Sequence, residues 1–415
     1  MDGPDRVPDA FCPAIRFCIC SDLHIKAPRD EQTRRLRQVM ETTYALADAH
    51  PTHKTVDAFL FAGDLTNNGT PQQYHAFWDT VQDVLRPETT VLCCVAHNHD
   101  NWEFGKGGEK TGLRHFRKIT GLTTDTHLCL GGLHFISVSA CSKKSRYYSL
   151  KQKRWLKRAL RQAHADTPNA PVFVMQHEHV RDTVFGSSAF DGWGMTCFRC
   201  ILSRYPNVVD VSGHSHYPLN DPRSVWQGDF TAIGTGALSY AEFTVRHERK
   251  VHPPQCETIA QGWIAEIDRS NTVVLRGYDF LSGTCLCTYV LHFPVNKADA
   301  PLTPQRQKAR SAPPRFPAGA AMEIARQDGA VTLTWPQAQS GDSFPVFLYH
   351  VELQDAKGGI LDRADVLHAY WFVHDQPFYT VTLPEHAGGN TVTVWAENAY
   401  GMASTPITKE VTFDV

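Results

Sequence analysis

Five short apolar runs in this sequence each stop on a cluster of side chains able to hold a metal ion. Residues 17–20 run into Ser21, Asp22, Leu23 and His24, and residues 58–62 into Gly63 and Asp64. Residues 91–96 run into His97, Asn98, His99 and Asp100, residues 171–175 into Gln176 and His177, and residues 208–212 into Gly213, His214, Ser215 and His216. Runs of this length, rich in Val, Phe and Cys and followed by turn residues, read as buried strands. In open α/β sheets the chemistry gathers just past the carboxyl ends of such strands. The pattern confines the chain to a layered α/β architecture with one shared pocket.

Helices are predicted between these strands. Over residues 30–49, Leu36, Val39, Met40, Tyr44 and Ala47 recur at helical spacing, an apolar stripe for packing on a sheet. Thr70, Pro71 and Gln73 supply a cap, a first-turn proline and a capping-box glutamine, which starts a helix running to about residue 85. Ser149 with Gln152 repeats the device and predicts a helix to about residue 165. Strand and helix alternate three times before residue 100, which implies a largely parallel sheet. Residues 128–139 read as a hairpin turning at Gly131 and Gly132, residues 103–112 as a glycine-rich loop, and residues 231–237, 262–268 and 272–280 as further strands.

At 415 residues the chain exceeds what one core supports. The expected division is a catalytic domain over 1–295, an extended Pro-rich linker over 296–317, and a second domain over 318–415. Short alternating strands in the last part, at 331–335, 346–353, 370–373, 378–383, 391–396 and 407–413, suit an immunoglobulin-like sandwich. A net charge of −2 exerts no global pull on nucleic acid or anionic membrane. No run nears the ~20 apolar residues of a membrane span. The first residues lack the features of a secretory signal, so a cytoplasmic location is expected, or secretion if a signal has been removed. Of twelve cysteines, Cys18, Cys20, Cys93 and Cys94 fall in predicted core strands, and structural thiols are the reading for all.

The strand ends offer Asp22, His24, Asp64, Asn98, His99, His177, His214 and His216. Mixed carboxylate, imidazole and amide donors suit two divalent or trivalent transition metals, Mn, Fe or Zn, rather than the all-oxygen shell of Ca. Paired metals of this kind clamp the attacking and leaving oxygens of a phosphate ester and yield hydroxide near neutral pH. Residues 179–194 suit a loop over the pocket, and His97, Trp102, Arg181 and Tyr217 are candidate pocket side chains.

In order and type, Asp22-Leu-His24, Gly63-Asp64, Asn98-His99-Asp100, His177 and Gly213-His214-Ser215-His216 resemble the signature of the calcineurin-like metallophosphoesterases. The resemblance covers roughly residues 16–240. It implies a β-sandwich flanked by helices, with Asp22, His24 and His216 on one metal, Asn98, His177 and His214 on the other, and Asp64 bridging. It implies attack by a metal-bridging hydroxide, His99 acting on the leaving group and Asp100 orienting the His99 ring. The family pattern has glycine where this sequence has His97. A side chain there costs roughly 1–2 kcal/mol if the backbone needs a positive φ. The C-terminal region is similar to a fibronectin type III module, on Trp335 and the stretch 392–401, and a docking role toward a protein or polysaccharide is expected of it.

The expected substrate is a small phosphate ester, a nucleotide or other diester ahead of a phosphoprotein. Three alternatives stand beside it: a nuclease tracking its substrate along residues 143–161, which hold nine Lys or Arg and no acid; a protein phosphatase; and a non-catalytic scaffold. The bland reading of that basic stretch is a solvated helix face, since Leu150, Trp155, Leu156, Ala159, Leu160 and Ala163 already supply an inward stripe. Nucleic acid is expected only as substrate, and no membrane partner is expected.

Overall fold

The computed structural model describes residues 6–101, 111–140, 148–191, 193–245, 248–341, 344–372, 376–386 and 389–411. The chain divides into two units, Met1–Thr303 and Pro304–Val415.

The first unit begins with β1 (Pro13–Cys20), α1 (Glu31–Asp48), β2 (Ala58–Phe61), α2 (Pro71–Val84), β3 (Val91–Cys94) and α3 (Thr111–Thr120). It continues through β4 (Asp125–Leu130), β5 (Leu133–Val138), α4 (Leu150–Asp166), β6 (Val172–Met175), α5 (Arg199–Leu202) and β7 (Val208–Ser212). The remaining strands are β8 (Val225–Gln227), β9 (Thr231–Gly234), β10 (Phe243–Val245), β11 (Glu248–Val251), β12 (Gln261–Asp268), β13 (Val273–Asp279) and β14 (Thr284–Leu291). Two six-stranded sheets result, ordered β14-β13-β12-β1-β2-β3 and β4-β5-β6-β7-β9-β8.

Strand alternation sets the layers. Phe17, Ile19, Leu60, Trp263 and Leu275 of the first sheet meet Phe135, Phe173, Met175, Val209 and Val211 of the second in one core. Phe17 stands edge-on to Phe135 and Phe173, with ring centroids 5.1 and 5.0 Å away. The other face of the first sheet, carrying Cys18, Cys20, Phe59 and Phe61, is covered by Leu36, Val39 and Met40 of α1, Phe77 of α2 and Phe116 of α3. The other face of the second sheet is covered by Leu156 and Leu160 of α4 and Ile201 of α5. The fold is therefore a helix-flanked β-sandwich, and the described cysteines are free thiols. No helix among the described residues is long and apolar enough to cross a membrane.

The helix starts follow from their caps. Asp30 accepts from the Thr33 N–H, Thr70 from the Gln73 N–H, and Ser149 with Gln152 forms a capping box. The Gly131–Gly132 turn joins β4 to β5 with Leu130 opposite Leu133. The expectation of a largely parallel sheet needs correction. β1, β2 and β3 are parallel, but β12, β13 and β14 form an antiparallel meander on the same sheet. Apolar periodicity reports which residues face inward and carries no record of strand direction. Of the loop expected at residues 103–112, residues 103–110 lie outside the described residues, while Thr111 and Gly112 open α3.

The second unit holds α6 (Pro304–Arg310) and strands β15 (Glu323–Gln327), β16 (Ala330–Pro336), β17 (Val346–Asp355), β18 (Ile360–Leu367), β19 (Phe378–Pro384), β20 (Gly389–Asn398) and β21 (Ile407–Glu410). They form an all-β pair of sheets, β15-β16-β19 and β18-β17-β20-β21, around Leu333, Trp335, Tyr349, Val351 and Val394. Residues 304–310, expected to be extended, are helical. Residues 370–372, expected to open a strand, form a turn instead. β17 pairs with β20 on one side and on the other with β18, whose Asp362, Arg363 and Asp365 break the apolar alternation.

A buried carboxylate gives a stability test away from the site. Asp210 in β7 is fully buried, with the Gln176 amide the one group among the described residues within hydrogen-bond reach, at 3.3 and 3.5 Å. Burial pushes its carboxyl up to about 7. With the folded value above the unfolded one, the folded state is unpenalised below the unfolded value and loses stability as pH rises through 7. A rise of that size corresponds to at most roughly 4 kcal/mol. Asp210→Asn should therefore stabilise the protein against urea more at pH 8 than at pH 5; an equal gain at both values would refute this account.

Candidate metal centre

The seven candidate ligands all lie within four residues of a strand's carboxyl end. Bringing them to one point takes unusual backbone. Asp22 (φ 54°), His24 (φ 53°), Asp64 (φ 52°), His214 (φ 72°) and His216 (φ 57°) all occupy the left-handed region, at roughly 1–2 kcal/mol for each side chain. Such conformations persist only where their surroundings over-determine them. Here the Asp22 N–H donates to the Gly63 carbonyl and the His24 N–H to the Asp64 carbonyl, both at 3.0 Å. The parallel pairing of β1 and β2 thus continues into the two loops. The His214 N–H donates to Asp22 Oδ2 at 3.0 Å. Gly63 must be glycine: its φ is 102°, and a Cβ there would stand 2.5 Å from His177 Nδ1.

Among the described residues three overlapping groups of donor atoms result, each within 4.8 Å: Asp22, His24 and His216; His24, Asp64 and His99; Asp64, His177 and His214. In the first, His216 Nε2 lies 3.1 Å from Asp22 Oδ1 and 3.2 Å from His24 Nε2. In the third, His177 Nε2 lies 3.2 Å from Asp64 Oδ2 and 3.2 Å from His214 Nδ1. Asp64 Oδ2 is also 3.9 Å from His24 Nε2, so this carboxylate belongs to both sides. Donor separations of roughly 3–3.5 Å are the edges of a polyhedron around an ion with bonds near 2.1 Å.

Backbone carbonyls set the imidazole tautomers. Nδ1–H of His177 donates to the Ala62 carbonyl at 2.7 Å, that of His216 to the Tyr240 carbonyl at 3.2 Å, and that of His99 to the Asn67 carbonyl at 2.9 Å. Each ring thereby offers Nε2. The sequence carries no sign of these partners, because a carbonyl is common to every residue.

Charge completes the case for cations. Asp22 and Asp64 are buried, which alone would raise both carboxyls. The imidazoles outweigh burial, His216 and His177 for Asp22 and His177 for Asp64, and hold both carboxyls well below the usual range. The converse appears at His177: burial opposes its charge, but Asp64 and Asp22 raise it to about 10. His24, by contrast, is lowered to about 3 by burial and stays neutral. Asp22 Oδ1 is buried with no hydrogen-bond partner. A buried carboxylate oxygen with the Nε2 atoms of His216, His177 and His24 at 3.1, 3.7 and 3.9 Å suits a metal ion.

The other anticipated residues are placed as follows. Asp100 is not the group that orients the His99 ring. Its carboxylate accepts from the Leu65, Thr66 and His97 N–H groups and the Thr66 hydroxyl, at 2.8–3.2 Å, and the Asn67 carbonyl takes the His99 Nδ1–H. Asp100 thus ties the loop after β2 to the loop after β3, with its own carboxyl pushed to about 7 by burial and then by Asp64. His97 is fully buried, and its backbone lies outside the left-handed region, so the anticipated φ penalty does not arise. Tyr217 is 4% exposed, packed on Phe185 with its hydroxyl on Thr244. Arg181 is partly buried at the start of the 179–194 loop. Trp102 lies outside the described residues. One contributor was missed: buried His179 meets the Ser212 and Ser215 hydroxyls at 2.8 and 2.7 Å, fixing the turn that carries His214 and His216. Its signal was the alternation His177-Glu178-His179 past the end of β6.

The sequence model of the calcineurin-like phosphoesterases matches residues 15–218, and this part of the chain, which holds every candidate ligand, belongs to that family. The chain is accordingly a phosphoesterase, and its strand ends carry His and Asp groups that could hold metal ions. No curated protein matches the sequence. Among solved structures it is similar to GAP50, the anchor in the inner membrane complex of Plasmodium, at 13% identity over 69% of this chain and 92% of that one, TM-score 0.45. It is also similar to purple acid phosphatase PPD1 from yellow lupin seeds, at 15% identity over 67% of this chain and 53% of that one, TM-score 0.46. A third likeness is phosphopantetheinyl hydrolase PptH from Mycobacterium tuberculosis, at 15% identity over 53% of this chain and 89% of that one, TM-score 0.31.

Proposed function

We propose that the chain hydrolyses phosphate mono- or diesters at two transition metals, with a small or nucleotide diester the favoured substrate. The carrying observation is the pair of donor groups joined through Asp64. Asp22, His24 and His216 hold one ion and Asn98, His177 and His214 the other, and the mixed donor set suits Mn, Fe or Zn. When bound, the ions supply Lewis acidity and a water acidic enough to react near neutral pH.

The chain's own groups supply the rest. His99 stands 4.5 Å, ring to ring, from His24 and is partly exposed; its Nδ1 meets the Asn67 carbonyl, and Nε2 is its other ring nitrogen. That atom is suited to deliver a proton to the leaving oxygen. Trp193 and Tyr240 flank the centre, with rings 4.8 Å from His214 and 4.2 Å from His216. Flat walls of this kind favour an aryl or nucleobase substituent on the ester. The C-terminal unit is proposed as a fibronectin type III-like module that docks a protein or polysaccharide.

Aryl phosphate monoesters and diesters, offered with Mn, Fe, Zn or Mg, test this directly. Turnover should depend on added metal and be faster for the diester. Absence of turnover with every metal sinks the proposal. Single-stranded DNA is a useful further substrate, because α4 exposes Lys151, Arg154, Lys157, Arg158 and Arg161; cleavage that falls steeply with salt would favour the nuclease reading instead.

A further inference from the structure

His97 has no role in the centre as described so far, yet it touches three residues on one side of it. Its Nδ1 is 3.1 Å from Asn98 Oδ1. Its ring centroid is 4.6 Å from that of His177 and 6.3 Å from that of His214. The side chain is fully buried, its Nε2 has no hydrogen-bond partner, and its backbone N–H is held by Asp100 at 3.1 Å. We propose that His97 is a positioning residue for the second cation: its Nδ1–H fixes the Asn98 carboxamide, and its ring backs His177 and His214.

An amide oxygen has two lone pairs. With one taken by Nδ1–H, Asn98 Oδ1 is held in place and its other lone pair stays available for an ion. Without the imidazole the carboxamide is free to rotate, and a volume about the size of the ring opens behind His177. The hydrogen-bond and ring contacts of His97 run to Asn98, His177 and His214, all on the side of the second cation. His97 is thus expected to affect one ion and not the other. Losing a residue that orients a metal ligand typically lowers affinity 10–100-fold.

The inference rests on the two-cation reading, and the test separates the two. Metal-stripped wild type, His97→Leu, His97→Asn and His97→Gln are titrated with Zn or Co against a chromophoric chelator, with cobalt absorption read in parallel. Wild type should bind two equivalents. His97→Leu, close in size but without nitrogen, should keep one and weaken the other at least about tenfold. Asparagine places its amide nitrogen where Nδ1 stood and should restore the weakened ion to within about threefold; glutamine, which reaches the Nε2 position, should not. Hydrolysis by His97→Leu should recover at saturating metal, raising the metal concentration needed more than it lowers kcat.

Two equivalents at unchanged affinity in His97→Leu would overturn the inference alone. So would rescue by glutamine in place of asparagine, which would make Nε2 the working atom, or equal weakening of both ions. Fewer than two equivalents in wild type would overturn the two-cation reading and this inference with it. If His97→Leu does not fold, the asparagine and glutamine variants still decide between the two nitrogen positions.

Discussion

Asp64→Asn should leave the fold intact and cut hydrolysis on the order of 10³-fold, at every metal concentration. Asp64 is the carboxylate shared by both sides of the centre, with Oδ2 3.2 Å from His177 Nε2 and 3.9 Å from His24 Nε2. Its Oδ1 also accepts the His99 N–H at 3.2 Å, so the same side chain locates the proposed proton donor. Asparagine matches its size and tolerates the left-handed backbone that position 64 adopts, at φ 52°. It lacks the charge and the second anionic oxygen needed to join two cations. Alanine would confound loss of the ligand with backbone strain, which makes asparagine the cleaner substitution. A variant that keeps more than a tenth of the wild-type rate would contradict the assignment of Asp64 as the bridge. Metal content measured alongside should fall below two equivalents.

Removing the metals should cost the protein much of its stability. Asp22 and Asp64 are both buried, and without cations their charges are balanced mainly by His177 and His216. A cation bound to the folded state alone, at a thousandfold excess over its dissociation constant, contributes about 4 kcal/mol. For a unit of this size the loss corresponds to a fall in Tm on the order of 10 °C. His177 adds a proton count. Raised to about 10 by Asp64 and Asp22, it is protonated in the stripped protein at neutral pH. A metal ion must displace that proton, so binding at pH 7 should release it and affinity should weaken as pH falls. Calorimetric titration in two buffers of different ionisation enthalpy counts the protons, and a thermal melt with and without chelator gives the shift. Unchanged Tm after complete stripping would argue that these donors hold no structural charge for a cation.

Much of the architecture was readable because it depends on neighbours in sequence. The caps at Thr70 and Ser149 act over three residues and locate α2 and α4. The apolar run 17–20 marked a buried strand, and in the structure Phe17 and Ile19 face the sandwich core while Cys18 and Cys20 lie under the helices. Elements with a weak local pattern were missed. β15 has little buried surface, β18 is interrupted by charged residues, and the buried aromatics Tyr370 and Trp371 resembled a strand while forming a turn. At the site, the type and order of the donors were legible. The partner of the His99 ring was misassigned to Asp100, its neighbour in sequence, because the Asn67 carbonyl 32 positions away leaves no mark on a residue list.

The amino-acid sequence by itself determined which side chains would sit at the strand ends, which faces of helices and strands would be buried, and that the donors are carboxylate, imidazole and amide. Those properties follow from periodicity, capping and side-chain chemistry, all local. The tertiary structure alone decided that Asp22, His24, Asp64, His214 and His216 adopt left-handed backbone, and that the carbonyls of Ala62, Asn67 and Tyr240 turn Nε2 of three rings toward the centre. It also decided that Asp64 is shared between the two sides. The reason is physical: these contacts join loops that meet only after parallel strands have aligned, and the conformational cost of each turn is borne by hydrogen bonds that exist only in the assembled sandwich.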